Sequence, residues 1–284
     1  MAGKLPSDGP PGKKSGSATF KVYISVDIEG CAGITHWDEA DKTHPDYPQF
    51  QQIMTAETLA AIEGAKAAGA TEIWVKDAHS SGRNLLIDQL PADVRVIRSW
   101  AGHPFCMVQE LNDSFDAVVM IGYHSSAGSE ANALAHTLSL DAAEIRLNGR
   151  RASEFLIHAL AAATVGVPVA FVSGDAGLLV EMAQVNPAIH GCAVKEGAGQ
   201  STVSFSPAGA CAAIAAGVKA ALTADLTAFA LPLDPHYTLE ITYGDPNLAA
   251  RHQHYPGALH IGNRTIRFET DQYFDVLRML NYVT

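Results

Sequence analysis

The sequence predicts an α/β protein: a largely parallel sheet with helices on both faces, followed by a small C-terminal α+β appendage. Three observations predict it. First, β-rich runs at 20–26, 71–77, 115–121 and 168–172 alternate with helical periodicity at 51–68, 151–165, 176–184 and 206–223, the rhythm of a parallel sheet. Second, the runs at 115–121 and 168–172 are almost continuously apolar, as strands covered on both faces are. Third, beyond Pro232 the character shifts to alternating strands at 238–242 and 265–268 and a closing helix at 271–282.

The first strand closes on Ser-Val-Asp-Ile-Glu-Gly (25–30), and a loop over 30–50 carries Gly30, Gly33, Pro45 and Pro48. The helix at 51–68 shows an apolar stripe of Ile53, Leu59, Ile62 and Ala65, with Thr55, Glu57 and Thr58 as candidate caps. Gly69 ends it, as a glycine after a helix commonly does. The strand at 71–77 stops at Asp-Ala-His, ending in His79. A short helix at 84–90, a strand at 94–97 and a helix at 104–111 follow. The strand at 115–121 stops at Gly-Tyr-His, ending in His124. After a strand at 144–147, Asn148-Gly149 is a strong turn signal before the alanine-rich helix at 151–165, with Glu154 in its first turn. Asp175, at the junction of the next strand and helix, reads as a helix cap. The surrounding Gly-Asp-Ala-Gly lacks phosphate-loop spacing, and the acid would repel an anion. A short strand near Ala193 precedes the helix at 206–223, which Ser206-Pro207 starts well. The expected organisation is a disordered tail over 1–19, an α/β catalytic domain over 20–228 and the α+β subdomain over 229–284.

A chain of 284 residues can bury a core that needs no disulfide staples. Its net charge of -11 and pI near 5.5 argue against nucleic acid as a partner. Four cysteines without Cys-x-x-Cys spacing fit a reducing compartment and offer no thiolate zinc site. No apolar run reaches membrane-spanning length, and residues 1–18 lack the apolar stretch of a secretory signal. A cytoplasmic protein with no membrane partner is expected.

In parallel sheets, ligands bind beyond the carboxyl ends of the strands. Asp27 and Glu29 lie there, two residues apart and so able to share a face. Like charges raise each other's pKa unless a cation answers them. His79 and His124 end two further strands, and His136 and Glu154 could reach the same rim. Carboxylates with imidazoles suit zinc and similar divalent ions. In a two-metal site one carboxylate normally bridges, and Asp27 is the candidate. The bland readings stand beside this one. Twelve histidines guarantee coincidences, a single strand-end histidine is more often structural, and an acid pair can cap a helix. No His-Glu-x-x-His or zinc-finger spacing is present. Cys31 lies too close to acids to be a reactive thiolate, and Ser80, Ser125 and Ser126 lack a nucleophile elbow.

At these residues the sequence resembles the zinc D-aminopeptidase family of DppA type. The matching pieces are Ser-Val-Asp-Ile-Glu-Gly (25–30), Ile-Met-Thr-Ala-Glu (53–57) and Gly-Ala-Thr-Glu-Ile-Trp-Val-Lys-Asp-Ala-His (69–79). Gly-Tyr-His (122–124), Leu-Ala-His-Thr (134–137), Ser153-Glu154 and Ser-Phe-Ser-Pro (204–207) follow in the same order. The resemblance implies an α/β domain that binds two zinc ions and removes N-terminal residues, often D-residues, from short peptides. It implies ring-like decamers with sites on an inner channel. Carried over by position, it makes Asp27, Glu29, His79, His124 and Glu154 the metal ligands and His136 the catalytic histidine. The family role given to that histidine is nucleophile. Chemistry favours a proton shuttle or oxyanion donor instead, because coordination already brings water's pKa to about 7. Gln51, Gln52 and Gln200 stand where the family often has arginine, which bears on substrate class, since arginine anchors carboxylates.

The leading expectation is a two-zinc aminopeptidase on short peptides or aminoacyl amides, using metal-activated water. Two others stand beside it: a metal-dependent amidase on a non-peptide substrate, and a catalytically inactive small-molecule-binding assembly protein.

Overall fold

Val22, Tyr23, Ile24 and Val26 are fully buried in the first strand, β1 (Lys21–Val26), around which the main sheet is built. The structure, a computed structural model, describes residues 19–284, so the tail expected over 1–19 falls outside it but for its last residue. After β1 come α1 (Tyr47–Ala67), β2 (Glu72–Asp77), β3 (Val94–Ile97) and β4 (Ala117–Tyr123). The middle of the chain gives β5 (Ala142–Leu147), β6 (Arg150–Arg151), α2 (Glu154–Thr164), β7 (Val169–Asp175), α3 (Ala176–Val185), β8 (His190–Ala198) and β9 (Ser201–Ser204). The chain ends with α4 (Pro207–Thr223), β10 (Tyr237–Tyr243), α5 (Pro246–His252), β11 (Leu259–Gly262), β12 (Thr265–Thr270) and α6 (Tyr273–Val283).

Among the described residues the strands form two sheets, ordered β3-β2-β1-β4-β7-β8-β9 and β11-β12-β10-β5-β6. The first is parallel from β3 to β8 and closes with β9 antiparallel at its edge. Helices cover both its faces. A Cβ on Gly217 of α4 would fall 2.4 Å from the Phe171 ring, so Phe171 on β7 points to α4. Its neighbour Val172 pairs with Gly191, where a Cβ would meet Leu179 of α3 at 2.0 Å. Successive residues of a strand point to opposite faces, so α3 and α4 lie on opposite sides. No helix is long and apolar enough to cross a membrane among the described residues.

The chain leaves β1 toward β2 and β3 on one side and returns to β4 on the other. The gap between the ends of β1 and β4 is thus the topological switch point, where open α/β sheets bind their ligands. Asp27 and Glu29 follow β1 and His124 follows β4, both at this gap.

Several elements differ from expectation, for local reasons. α1 starts at Tyr47 rather than 51, because Pro48 in its first turn gives up an N–H that would be unpaired anyway. Thr55 and Thr58 are not caps; their hydroxyls donate to Gln51 O and Met54 O within the helix, both at 2.8 Å. The helix expected at 84–90 is a single 3-10 turn at Ile87–Gln89, since Asp77 takes the Asn84 and Leu85 amides. At 104–111 only Cys106–Val108 forms a 3-10 turn, with Cys106 and Glu110 at φ of 42° and 68°, outside the helical region. Asn148 and Gly149, at φ of 51° and 77°, turn β5 into β6, so α2 begins at Glu154 instead of 151.

The small C-terminal layer expected over 229–284 draws two of its five strands from the middle of the chain, β5 pairing with β10 and β6 with β5. β11 and α5 were not foreseen. Every residue of β11 is exposed, so it carries no apolar alternation, and α5 has only 7 residues. α6 ties the two layers together: Tyr273 donates from its hydroxyl to Ile157 O of α2 at 2.8 Å.

The switch point is also where backbones come closest. Gly30 N donates to Gly122 O at 2.8 Å, and a Cβ on Gly122 would lie 2.3 Å from Asp27 O at a φ of +68°. Gly122→Ala should therefore cost about 2–4 kcal/mol, combining overpacking with left-handed strain. Gly149→Ala, at a similar φ with nothing within 4 Å, should cost only about 1–2 kcal/mol. Urea denaturation of the two variants checks the difference.

Candidate metal centre

Five of the six residues expected at the rim converge in one buried volume, and the sixth borders it. Asp27, Glu29, His79, His124 and Glu154 are at most 6% exposed. His79 Nδ1 lies 3.3 Å from Asp27 Oδ1 and 3.1 Å from Glu29 Oε1. His124 Nε2 lies 3.4 Å from Asp27 Oδ2 and 3.2 Å from Glu154 Oε2. His136, with 13% of its side chain exposed, places Nε2 3.8 Å from Glu154 Oε1. Ligand atoms of Asp27, Glu29 and His124, and again of His124, His136 and Glu154, lie within 4.8 Å of one another. The two groups share His124.

The local fold fixes which nitrogen each imidazole presents. His79 Nε2 donates to Ala40 O at 2.9 Å, His124 Nδ1 to Ser125 O at 3.0 Å, and His136 Nδ1 to Leu134 O at 2.9 Å. A backbone carbonyl accepts only from N–H, so in each neutral ring the lone pair sits on the other nitrogen, the one facing the acids. Metal-ligating histidines are held in this way. His124 Nε2 is buried without a hydrogen-bond partner, which would be costly in a finished network. His136 stacks on His124 at 4.3 Å between ring centroids and meets the edge of Trp37 at 5.2 Å.

Electrostatics tell the same story. Burial lifts the Asp27 carboxyl to about 6, Glu29's charge adds to the rise, and His124 and His79 oppose it. Burial would raise Glu154 too, but the charge of His124 beside it brings it to about 2. Glu29 is likewise held well below the usual carboxylate range by His79, against burial. Burial pushes down the two imidazoles, and the acids more than offset it, holding both well above 6.5. These acids demand positive charge. A donor set of three carboxylates and two or three imidazoles, with lone pairs already aimed inward, fits a borderline divalent ion such as zinc.

A second set of buried groups holds the loop that carries Glu29. Lys195 of β8, 4% exposed, donates from Nζ to Glu29 O, and to Ile34 O at 2.7 Å. Asn132 Nδ2 donates to Glu29 O at 3.3 Å and to Asp175 Oδ2 at 2.9 Å. Asp175 also accepts from Leu178 N at 2.9 Å and so caps α3, as the sequence suggests. From α1, Glu57 Oε1 accepts from Ala32 N at 2.8 Å. Burial, with Glu57's charge, raises the Cys31 thiol well above its ordinary value, which keeps it unreactive. The centre opens into a cleft of about 660 Å³ whose walls include Trp37, Trp100, Met107, Leu138, Leu277 and Leu280.

The family model described as D-aminopeptidase matches residues 20–282. The chain belongs to the D-aminopeptidase family. A D-aminopeptidase of Bacillus subtilis (strain 168) is 30% identical over 276 residues, 93% of this chain and 97% of its own. A solved structure, described as the Zn-dependent D-aminopeptidase DppA from Bacillus subtilis, a self-compartmentalizing protease, superposes with a TM-score of 0.86 at 26% identity. That likeness covers 93% of this chain and 96% of that one. The α/β fold expected from the sequence is the fold this D-aminopeptidase family member adopts.

Lys195, Asn132 and the cleft's two tryptophans did not stand out in the sequence as site residues. Lys195 lies inside a strand, away from its carboxyl end, and nothing in the local pattern marks it. Asp175 does end a strand, and that position was the available signal for its link to the Glu29 loop.

Glu57 gives this support a pH signature. Its Oε2 is buried without a partner, and burial lifts the carboxyl from 4.5 to about 7 against the Ala32 amide, Cys31 and Lys195. A raised folded-state pKa means that Glu57's contribution is fully present below about pH 4.5 and is lost as pH rises through about 7. Glu57→Gln, which keeps an acceptor for Ala32, should match the parent near pH 4.5 and exceed its stability by roughly 2–3 kcal/mol above pH 7. Urea denaturation across that range checks the crossing.

Proposed function

We propose that this chain is a two-zinc aminopeptidase that removes the N-terminal residue, D-residues included, from short peptides or aminoacyl amides. The observation that carries the reading is the meeting of Asp27, Glu29, His79, His124 and Glu154, from four separate segments, with each imidazole's free lone pair fixed toward the acids. Family membership and the Zn-dependent relative support it. The likeness to a self-compartmentalizing protease supports a homo-oligomer, for which we propose the ring-like decamer with sites on an inner channel. Light scattering should then give about ten times the 30.0 kDa of one chain. Four unbridged cysteines support the cytoplasm as its compartment.

In this reading Asp27, Glu29, His79, His124 and Glu154 would together hold the two ions. When bound, the pair supplies Lewis acidity and a water activated near neutral pH. The remaining work falls to the chain. The substrate's free amino group would be received at this centre, by an ion or by an acid beside it, which explains a requirement for an unblocked N-terminus. His136, tied at Nδ1 to Leu134 O, has Nε2 free to take a proton and return it to the leaving amine. As an imidazolium it can also donate to the developing oxyanion. Trp37 and His124, packed against its ring, hold it in place.

His136→Ala should lower kcat by at least about 100-fold while the purified variant retains about two zinc ions per chain by elemental analysis, the stoichiometry of a two-metal site. Loss of metal from this variant would instead make His136 a ligand. Activity in the parent should vanish on chelation and return with zinc. Cleavage of N-acetylated substrates at the rate of free ones would replace the aminopeptidase by a general amidase.

A further inference from the structure

We infer that Asp175 is a positioning residue for the metal centre, acting through Ser125 and Asn132 to set where His124, Glu29 and His136 stand. This rests on the two-zinc reading above and adds to it a residue outside the ligand set.

The sheet puts Asp175 in reach of all three. β7 pairs with β4 up to Gly174 opposite Tyr123, so Asp175 and the pair His124-Ser125 leave neighbouring strands at the carboxyl edge. Asp175 is fully buried, and four donors converge on its carboxylate. Oδ1 accepts from Leu178 N at 2.9 Å and from Ser125 Oγ. Oδ2 accepts from Ser125 N at 2.8 Å and from Asn132 Nδ2 at 2.9 Å. Of these bonds only the one from Leu178 caps α3. The other three lead to the site. Ser125 O accepts from His124 Nδ1 at 3.0 Å. Asn132 donates to Glu29 O at 3.3 Å, and its Oδ1 accepts from Leu134 N at 2.9 Å. Leu134 O in turn accepts from His136 Nδ1.

Capping alone does not call for a buried acid. Ser153 caps α2 and Ser206 caps α4, each with a hydroxyl. A buried carboxylate is expensive unless its oxygens are well met, and four converging donors need a group with two oxygens that only accepts. The first turn of α3 is shaped to this arrangement: a Cβ on Gly177 would lie 2.6 Å from Ser125 Oγ and 2.2 Å from Ala131 Cβ. Groups that orient metal-ligating histidines and carboxylates from behind matter nearly as much as the ligands.

The test measures zinc affinity by competition with a chelator, then kcat and KM at saturating zinc on unblocked D- and L-aminoacyl amides. Asp175→Asn keeps one oxygen but turns an amide N–H toward donors with which it cannot pair. It should bind zinc roughly 10–100-fold more weakly and lose about tenfold in kcat, with KM within about threefold of the parent's. Asn132→Ala should weaken zinc binding too. The double variant should lose less than the product of the single losses, because the two side chains share one hydrogen bond. Asp175→Ser, whose hydroxyl can still cap α3, should show the same losses, and it replaces Asp175→Asn if that variant does not fold. Ser206→Ala, which removes only the cap of α4, should lower the urea midpoint and leave zinc affinity unchanged. Zinc affinity within about twofold of the parent's in a folded Asp175 or Asn132 variant, or single losses that multiply in the double variant, overturns the inference alone. A parent protein that binds no zinc overturns the two-zinc reading and the inference with it.

Discussion

Three carboxylates share one buried space, and the organisation of the catalytic layer follows from the need to balance them. Buried like charges are expensive unless answered at short range. The fold answers Asp27, Glu29 and Glu154 with imidazoles on two sides. It also spends backbone carbonyls to fix which ring nitrogen faces the acids. Carboxylates and imidazoles concentrated in this way fit a divalent ion. The surrounding groups serve position rather than charge: Lys195 and Asn132 donate to the carbonyl of Glu29. They hold the loop without cancelling the acid that the loop presents.

The two layers of the molecule divide the labour. The parallel sheet delivers Asp27, Glu29, His79 and His124 by ending three adjacent strands at the switch point. Glu154 arrives differently, at the first turn of α2, immediately after the β5–β6 hairpin that belongs to the second sheet. The second sheet also carries α6, whose leucines form part of the cleft wall. The cluster of acids and imidazoles thus belongs mainly to the first layer, and the shape of the cleft depends on both.

Much of this was legible in the sequence. Apolar runs on alternating strands and helices give the parallel sheet, and the rule about carboxyl ends then puts Asp27, Glu29, His79 and His124 at one edge. Glu154 and His136 could be read only as able to reach that edge, and their roles came through resemblance, because a helix's first turn and an irregular loop have no periodicity from which to infer direction. What the sequence concealed depends on contacts between distant segments. Lys195 reaches Glu29 across 166 positions, and no local pattern encodes that. The helix expected at 84–90 failed for a related reason: Asp77 captures its amides, and a side chain competing for backbone N–H groups defeats propensity. The second sheet's composition was hidden because β5 lies between elements of the first, although it pairs with β10 some 90 residues later.

The threading of β5 between the two layers also bears on how the protein comes into being. Glu154 is set by a hairpin whose partner strand, β10, is made near the end of synthesis. Ribosomes build chains from the amino end, and domains generally fold as units. The buried cluster of acids and imidazoles therefore takes its final form only once β10 is available to pair with β5.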